Sequence, residues 1–239
     1  MITLGIDTCE ARGSVAVRKQ GALVVMQEHE TAEDYSSWLL PAVENCLRDA
    51  TARLEDVGVL AVATGPGSFT GVRVGLTAVK AWAELYGKPV AGVSRLEVMA
   101  RTSGANAPLV AASFDAQRGQ IFGGLYRVRP GTGFALVEQE MVIGAEDFVK
   151  WVWERAGEET VRWVTLDASL LEAAPSWSRR AGCRESLVVC GKGLAAGVAE
   201  LGEERARRGQ LSDALNLDAN YVRRSDAEIL WKDPGSHGS

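Results

Sequence analysis

The chain has 239 residues, enough for one large domain or two small ones that bury about 70–75% of the unfolded surface. Apolar residues make up 46% of it and charged residues 24%, and the net charge of −5 argues against nucleic acid as the main partner. No apolar run approaches the roughly 20 residues of a membrane span, and Asp7 interrupts the apolar opening, which has no basic region of a signal peptide. We therefore expect a cytoplasmic protein without membrane contact.

The chain offers few histidines and cysteines for a metal site. There are two histidines, and His237 lies in the polar stretch "DPGSHGS", so His29 has no histidine partner for a shared metal site. The four cysteines lack the spacing of a zinc clip and are predicted to be small core residues, at Cys9, Cys46, Cys183 and Cys190. We expect no metal site and no catalytic residue.

The first hundred residues read as a strand meander followed by alternating helices and strands. The runs "ITLGIDT", "GSVAVRK" and "ALVVMQEHE" predict three strands, and the continuous apolar run "VGVLAVATG" predicts a strand covered on both faces. Apolar residues recur at helical spacing from Tyr35, where Pro41 predicts a kink or a late start. A helix is predicted from about Thr70 to Tyr86, stopped by Gly87, and "PVAGVS" and "RLEVMARTS" predict a further strand and a short helix.

The second half repeats this order of elements. "PLVAASFDAQRGQIFGGLYRV" predicts two strands joined by a turn, "TGFALVEQEMVI" a third strand, and "AEDFVKWVWERAG" an amphipathic helix. Two more strands, "VRWVTLD" and "SLVVCG", and a helix from about Gly193 to Arg208 follow. In both halves a strand ending in aspartate leads through an Arg-Gly turn into a second strand. We interpret this as an internal duplication of an α/β lobe.

Duplicated lobes that each open with such a hairpin suggest the actin-like ATPase (ASKHA) architecture, with a mixed sheet and flanking helices in each lobe. We predict an N-terminal lobe over 1–104, a C-terminal lobe over 105–215, and a C-terminal segment and polar tail over 216–239. In this architecture the hairpins face each other across a cleft that can hold nucleotide phosphates. The candidate nucleotide-binding residues are Asp7, Gly13, Asp115 and Gly119. The simpler interpretation is that each aspartate satisfies its own turn.

The segment "GPGSFTG" (65–71) lies between a predicted strand and a predicted helix. It lacks the spacing and the lysine of a phosphate-binding P-loop, and a dinucleotide-binding turn would follow the first strand rather than the fourth. A structural interpretation is that Ser68 or Thr70 caps the helix. Gly71 and Gly75 then lie on one helical face with Ala78 and Trp82, where glycine permits close backbone approach of a second helix. The helix after "GPGSFTG" is then pressed either against its own domain or against another subunit.

The helix that begins near Tyr35 carries more apolar residues than one buried face needs, and apolar patches of this kind mark partner sites. We predict that this helix and the helix after "GPGSFTG" form a partner-binding face together. The predicted contact residues are Tyr35, Trp38, Leu39, Val43, Leu47, Phe69, Gly71, Val72 and Gly75.

Several of these stretches resemble one protein family. "GPGSFTGVRVGLTAVKAWAELYGKPVAGVSRLEVMA" is similar to the glycine-rich segment and helix of the TsaB (YeaZ) family, which acts in biosynthesis of threonylcarbamoyladenosine in bacterial tRNA. "GIDTCEARGSVAV", "FDAQRGQIFGGLY", "CGKGL" and "NYVRRSDAE" resemble further family segments, so the resemblance runs from Ile2 to about Glu228. The family is paralogous to the catalytic TsaD, once described as a glycoprotease.

The resemblance implies a non-catalytic scaffold subunit. Such a subunit forms homodimers in isolation or pairs with a TsaD-like catalytic subunit through the two helices. A TsaE-like ATPase completes the complex, which modifies the adenosine beside the anticodon, so that tRNA is an indirect partner. The chain itself would require no cofactor, with ATP or ADP expected at the interface of the complex.

Two alternatives remain open at this stage. One is a free-standing enzyme, either an actin-like ATP-dependent phosphotransferase or a glycoprotease-like hydrolase, and the other is a nucleotide-binding module without turnover. The sequence assigns no role to Arg223 and Arg224 or to the segment 167–186.

Overall fold

Two mixed β-sheets with equivalent strand orders form the framework of the chain. The computed structural model describes residues 1–30, 34–104, 107–129, 133–177, 186–191 and 193–222. Arg223, Arg224, Cys183 and His237 lie outside the described residues, as do most of the segment 216–239 and part of the segment 167–186. None of the helices described is long and apolar enough to cross a membrane.

The first sheet has five strands in the order β3-β2-β1-β4-β5. The strands of the meander pair antiparallel, whereas β1, β4 and β5 run parallel. Their bounds are Ile2–Asp7 for β1, Ser14–Lys19 for β2, Ala22–Glu28 for β3, Val59–Ala63 for β4 and Val90–Val93 for β5. Every residue of β4 is buried, as its continuous apolar run predicts.

Three helices accompany the first sheet: α1 (Tyr35–Asp49), α2 (Phe69–Tyr86) and α3 (Arg95–Thr102). Helix α1 contains Pro41, so the proline does not delay its start. Ser68 caps α2 by accepting a hydrogen bond from the Gly71 N–H at 3.3 Å. Gly87 ends the helix in the left-handed conformation, at φ 60°.

The second sheet repeats the order of the first. Its main path is β11-β10-β6-β7-β8, with β9 also paired to β7. The bounds are Leu109–Asp115 for β6, Gln120–Arg129 for β7, Gly133–Leu136 for β8, Met141–Gly144 for β9, Val161–Thr165 for β10 and Leu187–Val189 for β11. The single third strand predicted here is two strands, because β7 is long enough to pair with β9 at its start and with β8 at its end. The two sheets confirm the predicted α/β class and the duplication of a mixed-sheet lobe, because they repeat one strand order.

The remaining helices are α4 (Ala145–Ala156), α5 (Ser169–Glu172) and α6 (Ala195–Arg207). Helix α4 packs on the second sheet, where Phe148 meets Gly123. Helix α6 packs on the first sheet, although its position in the chain led us to assign it to the lobe over 105–215. The fit depends on small residues, since a side chain at Gly5 would meet Ala195 and Ala199, and one at Gly202 would meet Ala61.

The core is layered around these sheets. On β1, Ile6 faces Gly75 of α2, whereas the adjacent Gly5 faces α6, so these two helices cover opposite faces. Helix α3 contacts both α6 and the second sheet and therefore lies between the lobes. The far side of the second sheet packs against α4 and Trp177, whose ring centroid lies 4.9 Å from that of Trp163 on β10.

Candidate partner-binding groove and interlobe cleft

Helices α1 and α2 enclose an apolar groove on the surface of the first lobe. It has a volume of about 590 Å³, and its exposed side chains include Leu40 and Phe69, which are 53% and 41% exposed. An exposed apolar depression between two helices is a surface on which a partner can bury area. The groove is lined by Tyr35, Ser36, Leu39, Leu40, Phe69, Thr70, Arg73, Val74, Thr77, Ala78, Ala81 and Trp82.

Only part of the predicted contact set lines this groove. Tyr35, Leu39 and Phe69 do. The side chains of Trp38, Val43 and Leu47 lie instead in the core of the same lobe. A run of apolar residues at helical spacing is read equally well as an outer face or a core face, and on α1 most of it is the core face.

The remaining predicted contacts, Gly71, Val72 and Gly75, also face inward. An added Cβ at Gly71 would meet the Thr8 carbonyl oxygen, and one at Gly75 would come within 2.5 Å of Thr8 Oγ1. Val72 is buried. The close approach that these glycines permit is therefore to strand β1 and the residue after it, within the same domain.

Leu40, Val74 and Thr77 also line the groove, although the sequence pattern does not single them out, and Ala78 and Trp82 share a stripe with the two glycines. A stripe of residues three and four apart spans much of a helix face, and this one straddles the border between the buried side of α2 and the groove. The residues on the buried side of α2 could have been distinguished from the groove residues by considering β1. Its small and apolar residues require a helix packed closely against them.

One end of the groove is closed by an aromatic pair that holds an arginine. The rings of Phe69 and Tyr221 have centroids 5.4 Å apart. The Arg73 guanidinium carbon lies 3.6 Å from the centroid of the Phe69 ring, and Arg73 Nε donates a hydrogen bond to the Tyr221 hydroxyl at 3.0 Å. The segment after α6 thus reaches the α2 side of the groove.

The two predicted hairpin turns lie on a second depression, the cleft between the lobes. This cleft has a volume of about 700 Å³, and Phe69 lines both it and the groove. Its walls combine both turns with the "GPGSFTG" loop and the end of the described chain. The residues are Cys9, Glu10, Ala11, Pro66, Gly67, Ser68, Phe69, Val72, Asp115, Ala116, Gln117, Arg118, Phe122, Asn220, Tyr221 and Val222.

Asp7 does not line the cleft but is buried beneath it in an ion pair. Its Oδ1 accepts a hydrogen bond from the Cys9 N–H at 3.0 Å, and its Oδ2 accepts one from Arg95 Nε at 3.0 Å. Both side chains of the ion pair are fully buried. Arg95 Nη1 also lies 3.5 Å from Glu10, and the guanidinium carbon lies 4.8 Å from the Phe114 ring centroid.

The surroundings of Arg95 keep it charged. Burial by itself lowers the pKa of Arg95, but the carboxylates of Asp7 and Glu10 outweigh burial and raise this pKa above its usual value. Burial also raises the pKa of the neighbouring Cys9 thiol, with Asp7 adding to the effect. Asp7 therefore has an internal cation as its partner, and Cys9 is held as a neutral thiol.

Asp115 differs from Asp7 in being exposed at the cleft. It also holds its own turn, since Oδ1 accepts a hydrogen bond from the Gln117 N–H at 2.7 Å. Gly119 follows in the left-handed conformation, at φ 72°, whereas Gly13 is needed because a side chain there would meet the Asp7 carbonyl oxygen and Tyr35. Both aspartates thus satisfy a turn of the chain, and neither glycine lines the cleft. In the described ranges no three histidine, cysteine, aspartate or glutamate residues cluster as a metal site would require.

Comparison with known proteins gives the family. The chain is 31% identical to the Escherichia coli tRNA threonylcarbamoyladenosine biosynthesis protein TsaB over 186 residues, which cover 76% of this chain and 77% of that protein. The chain belongs to the TsaB family. The Bacillus subtilis TsaB is 29% identical over 241 residues, covering 97% of this chain and 98% of that protein.

Two further comparisons agree with membership of the TsaB family. The crystal structure of YeaZ from Pseudomonas aeruginosa has a TM-score of 0.73 at 25% identity, covering 92% of this chain and 99% of that one. The family model described as "TsaD: tRNA N6-adenosine threonylcarbamoyltransferase" matches residues 27–156. That match takes in α1, α2 and all the described residues that line the groove between them.

Proposed function

We propose that this chain is a non-catalytic scaffold subunit in the biosynthesis of threonylcarbamoyladenosine in tRNA. In this proposal the groove between α1 and α2 binds a TsaD-like catalytic subunit. A TsaE-like ATPase joins the complex, and ATP or ADP binds at its interface. tRNA is an indirect partner, which the chain contacts only as part of the complex. In isolation, the same groove pairs two copies of the chain.

The observation that carries the proposal is the exposed apolar groove. Trp82, Ala78 and Val74 on α2 face Leu39 and Leu40 on α1 across it, and among the described residues that line it only Arg73 and Tyr35 are ionisable. A surface of this composition loses unfavourable contact with water when a second apolar surface covers it. The names of the relatives indicate the process, which is threonylcarbamoyladenosine biosynthesis. The groove is the surface through which we propose that the chain binds its partner in that process.

The arrangement of the cleft favours a scaffold over the free-standing enzyme. An actin-like phosphotransferase would use the aspartate of the first hairpin toward a nucleotide and its metal, but Asp7 is buried against Arg95. A guanidinium at this position repels a divalent cation. Calorimetric titration of the isolated chain with ATP, ADP and Mg²⁺ is expected to show no binding. Saturable binding lost in Asp7→Asn would instead support the enzyme or the nucleotide-binding module.

Leu40→Glu tests the groove directly, because it places a charge on a groove residue that is 53% exposed and lies outside the hydrophobic core. We expect the variant to fold with the wild-type melting temperature and to lose co-elution with the TsaD-like subunit of the same organism. Formation of threonylcarbamoyladenosine in the reconstituted reaction should fall with it. Leu23→Glu is the matched control, since Leu23 is an exposed leucine on β3, outside the groove. Unchanged binding by Leu40→Glu would contradict the proposal.

A further inference from the structure

We propose that Arg73 is the charged anchor of the groove and that it binds a carboxylate of the docking subunit. The inference rests on the proposed function and adds to it the chemistry of one contact. It starts from the position of Arg73, which is exposed and is the one charged side chain among the described residues that line the groove.

The Arg73 side chain is held in place before any partner arrives. The Phe69 ring lies 3.6 Å from the guanidinium carbon, and the Tyr221 hydroxyl accepts the Nε–H at 3.0 Å. A stacked arginine whose Nε is already bonded loses little conformational freedom on forming a new contact. This preorganisation is what separates Arg73 from an ordinary solvated surface arginine.

The two terminal nitrogens of Arg73 remain available for such a contact. Within the part of the chain that the structure describes, Arg73 forms its hydrogen bond through Nε and has no ion pair. The other arginines around α3 and α6 contrast with it, since Arg101 and Arg205 both pair with Glu97. Arg73 is thus a fixed cation whose charge the described fold does not neutralise.

A carboxylate is the group that best fits this cation on a protein partner. The planar guanidinium presents its terminal N–H groups in a fork that matches the two oxygens of aspartate or glutamate. Docking would cover the apolar groove and withdraw Arg73 from water. A charge that is removed from water without a partner costs free energy. A partner that covers the groove without a carboxylate opposite Arg73 would therefore bind weakly.

The test measures affinity for the purified TsaD-like subunit at about 50 mM and about 500 mM salt. Arg73→Gln is expected to weaken binding by about tenfold or more at the lower salt and to flatten the salt dependence. The affinity of Arg73→Lys should lie between those of Arg73→Gln and the wild type, because lysine keeps the charge but loses the forked geometry of the guanidinium. Tyr221→Phe, which removes only the hydroxyl that orients Arg73, should weaken binding by about threefold.

Arg48→Gln is the matched control, because Arg48 is an exposed arginine of α1 outside the groove and should leave affinity unchanged. Melting temperatures of all variants confirm that they fold. Wild-type affinity and salt dependence in Arg73→Gln would overturn the inference, and so would an effect confined to pairing of the chain with a second copy of itself. If Leu40→Glu still abolishes binding in that case, the proposed function stands. If Leu40→Glu also binds normally, the proposed function has failed as well.

Discussion

Asp7 and Arg95 are 88 residues apart in the chain and form a fully buried ion pair. Arg95→Met is expected to reduce the free energy of unfolding by about 3–5 kcal/mol, because the Asp7 carboxylate is left buried without its cation. Chemical denaturation followed by tryptophan fluorescence measures this. The double variant Asp7→Asn/Arg95→Met removes both charges and should recover much of the loss. A double variant no more stable than Arg95→Met would show that the charge of Asp7 is not the cause.

Glu146, in the first turn of α4, gives a pH dependence with a defined sign. The Ser176 hydroxyl and N–H donate to its carboxylate at 2.6 and 2.8 Å, and with help from Lys150 they lower the pKa of Glu146 to about 2. The folded form thus binds this proton less readily than the unfolded chain does. The resulting stabilisation is complete above the ordinary pKa of 4.5 and is lost as pH falls from there toward about 2.

Ser176→Ala should therefore raise the pKa of Glu146, as measured by NMR titration of its side-chain carboxyl. The same variant should shift acid unfolding to higher pH, and Glu146→Gln should remove this part of the pH dependence. Glu154→Gln, at an exposed position of the same helix, is the control. An unchanged pKa in Ser176→Ala would assign the shift to the backbone N–H of residue 176 and to Lys150 instead.

Sequence reasoning identified both hairpin aspartates but not the partner of the first. Asp7 and Asp115 stand out because each ends a strand before an Arg-Gly turn, which is local information. Arg95 follows the strand "PVAGVS" and reads as an ordinary helix residue, and its contact with Asp7 depends on β1, β4 and β5 lying side by side. A long-range contact of this kind has no signature in a single sequence.

At the scale of elements, the glycines of α2 indicate that another element packs closely against this helix, but they do not indicate which element it is. Gly71 and Gly75 do allow close approach, but the element that approaches is β1 with Thr8 rather than the expected second helix. Gly75→Leu is therefore expected to destabilise the fold itself, by about 1–3 kcal/mol or more, because Thr8 and Val62 leave no space. Gly71→Ala should act in the same direction.

Thermal unfolding of these variants, with sedimentation at a temperature where they are folded, separates the two interpretations. Glu84→Ala is the control, since Glu84 is exposed on the same helix and lies outside the groove. The structure predicts lower melting temperatures with assembly retained by the folded fraction. A normal melting temperature together with lost assembly would restore the glycines to the interface.

At the scale of the whole molecule, duplication was readable because each lobe carries the same local order of strands and helices. The return of α6 to the first sheet was not, because nothing local distinguishes a helix that covers its own lobe from one that crosses over. Small residues allow α6 to pack closely on the first sheet. Gly5 contacts the start of α6, and Gly202 lies against Ala61. Ser14 Oγ also accepts a hydrogen bond from the Ala195 N–H at 3.0 Å, and Arg18 pairs with Glu203 at 3.4 Å.

This crossing predicts that the lobes are not independent folding units. A fragment of residues 1–104 contains all five strands of the first sheet but lacks the helix that covers one face. That face would expose Thr3, Gly5, Ala61 and Ala91 to water, and a sheet covered on one side only loses much of its burial. We expect the fragment to show weak near-ultraviolet circular dichroism and no cooperative melting.

Co-expression of the fragment with residues 193–222, which contain α6, should restore cooperative melting, since the missing layer is supplied in trans. Co-expression with 107–177, which contains most of the second lobe without α6, is the control and should not restore it. Cooperative melting of 1–104 alone would show that α6 docks on a lobe already folded. The groove would then be a property of that lobe by itself, and Leu40→Glu could be tested in the fragment.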